Sequence, residues 1–154
     1  MRVRNLFFIA IALMGAVFLV GFQGSDQITR AQLRTMLVQL GYEVKDLEKE
    51  PGKEKYEIKL VTAGYNVPMG VEISPSGNYI WLTVFLKGET PSGEKAVKLL
   101  RRNAEIQPSF FYVTKSDRIM LALPVENRNV SNPVLKSRLE KVAGDVDKSA
   151  DDWK

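Results

Sequence analysis

Two residue types are missing from this chain altogether: it has no cysteine and no histidine. Without cysteine there is no disulfide, no thiolate nucleophile, no iron–sulfur cluster and no cysteine-ligated zinc. Without histidine, the commonest general base and the commonest transition-metal ligand are gone. An enzyme would be left with carboxylate or lysine chemistry, and no pair of such groups stands out. The chain therefore reads as non-enzymatic, with no metal and no cofactor. Excess charge is scarce as well. The formal net charge is +4, but Arg2 and Arg4 lie in the first five positions and leave 20 basic against 18 acidic residues elsewhere. No aromatic residues interleave with the basic clusters, so base stacking has no support and no nucleic-acid partner is expected.

Long hydrophobic runs are also few. Leu6–Phe22 is the exception, an unbroken apolar segment behind the short basic stretch Met1–Asn5. A cationic start followed by an apolar core is the arrangement of a secretory signal peptide. The run is near the lower limit for a bilayer-spanning helix, about 17–25 residues. Gly21 and Gly24 are small, but Leu19 and Phe22 stand where a cleavage site prefers small residues, so cleavage and retention as a single anchor both stay open. The expectation is a signal peptide or N-terminal membrane anchor at residues 1–24 and one domain at residues 25–154. That domain is expected to be periplasmic or otherwise extracytoplasmic, touching the membrane only through residues 6–22 if the leader is uncut.

After Gly24 the patterning is that of a mixed fold. Ser25–Leu40 predicts a helix, with Ile28, Leu33, Met36, Leu37 and Leu40 on one stripe. Thr29 and Gln32 have capping-box spacing, and Gly41 suits the residue that ends a helix. Tyr42, Val44 and Leu47 suggest a short strand before the charged turn Glu48–Lys55. Tyr56–Thr62 and Val67–Ser74 alternate as strands. Asn78–Lys87 then contains the longest strand-like run, in which Tyr79, Trp81, Thr83 and Phe85 alternate with Ile80, Leu82, Val84 and Leu86. Its composition is that of a central strand covered on both faces. Glu94–Glu105 predicts a second helix with Val97, Leu100 and Ala104 on its apolar side. Phe110–Lys115 and Arg118–Pro124 form a hairpin across Ser116 and Asp117. Ser131–Trp153 predicts one last helix, with Leu135, Leu139, Val142, Val146 and Trp153 on one stripe. The fold expected is a two-layer α+β domain with an antiparallel sheet of about five strands and three helices, in the order α-β-β-β-α-β-β-α.

This order resembles the type III secretion chaperone-like fold, and within it the chain is most similar to YbjN-like domains. The segments that carry the likeness are ISPSGNYIWLTVFL, LLRRNAEIQPSFFYVTKSDRIMLALPVEN and the long last helix ending in tryptophan. The resemblance implies that Asn103 closes the middle helix and that Asp117 turns the second hairpin. It further implies a homodimer, or binding of an extended partner chain across the sheet. Chaperone-like or regulatory protein binding is the function expected from it.

Two candidate sites follow. Three helices are too few to cover both faces of the central sheet, so Tyr79, Trp81 and Phe85 are candidate partner-binding residues, for a protein partner or a second copy. A small ligand or lipid in a cleft between sheet and helices near Trp81 is the alternative. Lys95, Lys98, Arg101 and Arg102 are candidate contacts for an anion, against the plainer reading of a solvated helix side. Asp145, Asp147, Asp151 and Asp152 lack the glycine-centred spacing of a calcium loop and read as a solvated tail. Asn129-Val130-Ser131 matches the N-glycosylation pattern.

Overall fold

The computed structural model describes residues 27–154. The leader expected at residues 1–24 lies outside the described residues. The first helix, α1 (Arg30–Gln39), begins where its capping box places it. The Thr29 side chain accepts from the Gln32 backbone at 3.2 Å, and the Gln32 side chain accepts from the Thr29 backbone at 2.7 Å. Two otherwise unpaired helix-end donors are thereby satisfied. Gly41, just past the helix, has φ +87°, a backbone that only glycine adopts freely.

Six strands follow in one antiparallel sheet: β1 (Lys45–Glu48), β2 (Lys55–Val61), β3 (Asn66–Ile73), β4 (Tyr79–Lys87), β5 (Phe110–Val113) and β6 (Ile119–Glu126). Their spatial order is β1-β2-β3-β4-β6-β5, which puts β4 in the interior of the sheet as its composition predicts. β1 makes the sheet six-stranded rather than five-stranded. Its side chains are mostly polar and exposed, and it is held by backbone pairing and by ion pairs from Lys45 to Glu57 and from Arg34 to Asp46. A short strand is expected here from Tyr42, Val44 and Leu47; the observed one starts at Lys45, and only Leu47 of the three lies in it.

All the helices serve one face. Leu33 and Leu37 of α1, Leu99 of α2 (Gly93–Asn103), and Leu135, Leu139, Val142 and Val146 of α3 (Asn132–Lys148) share a single core. The strands contribute only alternate residues to it: Ile58 and Leu60, Met69 and Val71, Ile80, Leu82 and Val84, Leu121 and Leu123. Among the described residues β4 is therefore covered on one face, where its composition led to an expectation of cover on both. Phe85 is 53% exposed and Tyr79 46%. Among the described residues every core residue falls between Ile28 and Trp153, so a chain that starts at Ser25 contains all of them.

Two helical expectations are also corrected. On α2, Val97, Leu100 and Ala104 face outward and Leu99 is buried instead. This helix packs beside β5 and against the C-terminal turn, and that contact rotates Leu99 inward. The last helix is not continuous either. It breaks at Ser149 and resumes as α4 (Ala150–Trp153), a fourth helix. The indole N–H of Trp153 donates to the Val146 carbonyl at 2.9 Å, and its ring lies 5.5 Å from that of Tyr65. Trp153 thus pins the C-terminal turn to the body. The aspartates near it are not all a solvated tail. Asp145 and Asp152 are buried, the first bonded to Lys141 at 2.8 Å and the second to Arg102 and Lys98.

Candidate functional site

The helix-free face of the sheet follows from strand register. Side chains of paired residues point the same way, so each rung of the ladder is a row on that face. One row is Glu72, Trp81 and Pro124; the next is Gly70, Thr83, Ala122 and Phe110; the third is Phe85, Met120 and Tyr112. Gly70, Thr83 and Ala122 thus make the middle row low along most of its length, with Phe110 rising at its β5 end. Gly70 is needed in that row, because a Cβ there would meet the Thr83 hydroxyl at 2.9 Å.

A groove of about 400 Å³ opens over Thr83. It is lined by Glu72, Trp81, Phe110 and Tyr112 around Thr83, with Ser74 and Pro75 of the β3–β4 turn. The rings brace one another. Trp81 meets Phe110 edge to face, with centroids 6.3 Å apart at 81°, and Phe110 lies 5.9 Å from Tyr112. Such arrangements satisfy the aromatic quadrupoles and hold the rings in place. Lys55 donates to the Glu72 carboxylate at 2.8 Å. Burial pushes the Tyr112 hydroxyl above the ordinary tyrosine range, with Lys55 opposing the shift and Glu72 adding to it. Farther down the face, the Arg118 guanidinium lies 5.8 Å from the Phe85 ring centre.

Trp81 and Phe85, two of the predicted partner-binding residues, lie on this face, and Tyr79 lies at its upper end. Their position removes a cleft between sheet and helices at Trp81, because the helices are on the other side. Phe110, Tyr112 and Glu72 belong to the same surface and were not singled out in the sequence. Alternation does put Phe110 and Tyr112 on one side of their strand. Only the pairing of β5 with β6, and of β6 with β4, shows that this side is the one bearing Trp81.

The edge of the sheet at β5 is partly closed. The Asn103 amide donates to the Phe111 carbonyl at 3.2 Å and accepts from the Phe111 N–H at 2.7 Å. One side chain thus satisfies the groups that an added strand would use at that residue, a way of protecting a sheet edge.

The basic side of α2 is largely occupied within the chain. Lys95 donates to the Lys154 carbonyl at 2.7 Å, Lys98 to the Asp151 carbonyl at 2.8 Å, and Arg102 pairs with Asp152 and Glu105. Burial opposes ionisation of Asp152, but the hydrogen bonds and positive charges of Arg102 and Lys98 together outweigh it and hold its pKa below the ordinary aspartate value. Arg101 remains exposed. Three of the four cations, Lys95, Lys98 and Arg102, therefore clamp the C-terminal turn more than they offer a surface to an anion. Among the described residues no group of three or more acidic side chains is placed to hold a metal ion, and no helix is long and apolar enough to cross a membrane.

No protein-family model matches the chain, and no curated protein matches it in sequence.

Proposed function

We propose that this chain is a non-enzymatic docking module that self-associates through the helix-free face of its sheet, working in the cell envelope as a chaperone-like or regulatory protein. One observation carries the reading: a braced aromatic surface on the central strands with no helix over it among the described residues. Large exposed apolar patches on soluble domains mark interaction sites more often than they occur idly. The partly closed β5 edge favours docking across the face over strand addition at that edge. The resemblance to YbjN-like and type III secretion chaperone-like domains points the same way, and the apolar leader supports the extracytoplasmic setting.

Homodimers with twofold symmetry are the commonest soluble oligomers, so a second copy is the partner expected first. Sedimentation equilibrium on the chain from Ser25 onward tests this, and a reversible monomer–dimer equilibrium is expected. Strictly monomeric behaviour up to the solubility limit would remove the proposal. The groove also supports a second reading, since its volume falls within the roughly 300–1,000 Å³ of small-ligand sites. Native mass spectrometry would then find a small molecule that leaves when Trp81 is replaced by alanine.

A further inference from the structure

The groove over Thr83 has a chemistry more specific than apolar. Its walls are the rings of Trp81, Phe110 and Tyr112, whose faces carry negative electrostatic potential and attract cations. A carboxylate, Glu72, stands at its rim. Lys55 bonds one Glu72 oxygen at 2.8 Å, and the other oxygen has no donor among the described residues. Both side chains of this pair are about one-third exposed, a setting in which an ion pair holds its partners loosely. Aromatic walls with a half-used carboxylate suit a guanidinium better than an ammonium, because the planar group stacks and donates at once.

The same face carries such a group. Arg118 is exposed, lies over the Phe85 ring, and has no carboxylate within 4.0 Å among the described residues. Lys59 also lacks an acidic partner, but it stands on β2, away from the aromatic rows. We propose that the groove receives Arg118 of a second copy of this chain, and that two such contacts, related by symmetry, set the register of the dimer. This rests on the docking reading above and names what recognises what within it.

The positions permit it. Glu72 is level with Trp81 on β4, and Arg118 adjoins Ile119, which is level with Lys87. Six residues of strand separate those levels, roughly 20 Å at about 3.3 Å per residue. In a twofold interface, residue i meets residue j while j meets i, so one axis lying in the face forms both contacts together. That axis crosses near Thr83, where Gly70 and Ala122 keep the surface low enough for close approach.

Charge exchange tests the pairing. Sedimentation equilibrium is run on the chain from Ser25 onward, as wild type, Glu72→Arg, Arg118→Glu, the double variant and an equimolar mixture of the two single variants. Circular dichroism and unfolding midpoints confirm that each is folded. Each single variant is expected to raise the dimer dissociation constant at least about tenfold, by setting like charges against each other. The mixture is expected to form a heterodimer of near wild-type affinity, and the double variant a homodimer. Single variants that dimerise as well as wild type, while Phe85→Glu abolishes the dimer, would overturn the arginine pairing and leave the docking face standing. Loss without rescue in the mixture would also overturn the pairing. A wild type that never dimerises would overturn both.

Discussion

Replacing Asn127 with alanine is expected to lower the unfolding free energy by about 2–4 kcal/mol, since a stranded buried polar group costs about 1–3 kcal/mol. Asn127 is 1% exposed and ties the entry to α1 to the β3–β4 turn. Its side chain accepts from the Ile28 N–H at 3.2 Å and donates to the carbonyls of Ile28 at 3.0 Å and Gly77 at 2.8 Å. Truncation leaves three backbone groups without their partner, where water has limited access. Asn127→Asp separates the contributions, because a carboxylate can still accept from Ile28 but cannot donate to either carbonyl. At neutral pH it is expected to cost at least as much as alanine, because its buried charge faces two carbonyl oxygens with one N–H donor to offset them. Urea denaturation followed by circular dichroism measures both, and a loss below about 0.5 kcal/mol for alanine would show that these bonds contribute as little as an ordinary surface contact.

Neighbouring residues of β4 are expected to differ sharply. Leu82 is fully buried against the helices, so Leu82→Ala is expected to cost about 2–5 kcal/mol, the range for a leucine cavity in a packed core. Phe85 is 53% exposed on the other face, and Phe85→Glu is expected to change stability by less than about 1 kcal/mol, the span of strand propensities. In a sheet covered on both sides, the buried charge would cost far more than that. Equal and large losses at both positions in the monomer would mean that something other than solvent lies over Phe85. Denaturation at low protein concentration makes the comparison, because dimer formation would otherwise add its own stability to the wild type.

The elements most legible in the sequence were those with a local physical signature. Thr29 and Gln32 set the start of α1, Gly41 its end, and the alternation in Tyr79–Leu86 set both the strand and its division into faces. Asn103 and Asp117, expected from the resemblance to end a helix and turn a hairpin, do so, with Asp117 at φ +57°. What was hidden depends on contacts distant in sequence. The short strand expected from Tyr42, Val44 and Leu47 is displaced to Lys45–Glu48, because pairing with β2 and ion pairs rather than those apolar residues set the bounds of β1. The inward turn of Leu99 on α2 is set by where β5 and the C-terminal turn lie, which helical spacing alone does not encode. The break at Ser149 comes within a stretch of steady helical periodicity, and the indole bond of Trp153 is made across that break. The candidate site shows the same division. Trp81 and Phe85 were legible as two residues on one side of one strand. That Phe110, Tyr112 and Glu72 complete the groove follows from the β3–β4, β4–β6 and β5–β6 registers, which no single strand reveals.

Cover of the helix-free face by another copy of this chain is what we propose. A photoreactive phenylalanine analogue at position 85 tests it most directly, in the chain from Ser25 onward at concentrations where the dimer is expected. The expected product is an intermolecular cross-link whose peptide comes from β3, β4, β5 or β6 of the second copy. A cross-link confined to α1 or α3, or no intermolecular product at any concentration, would contradict it.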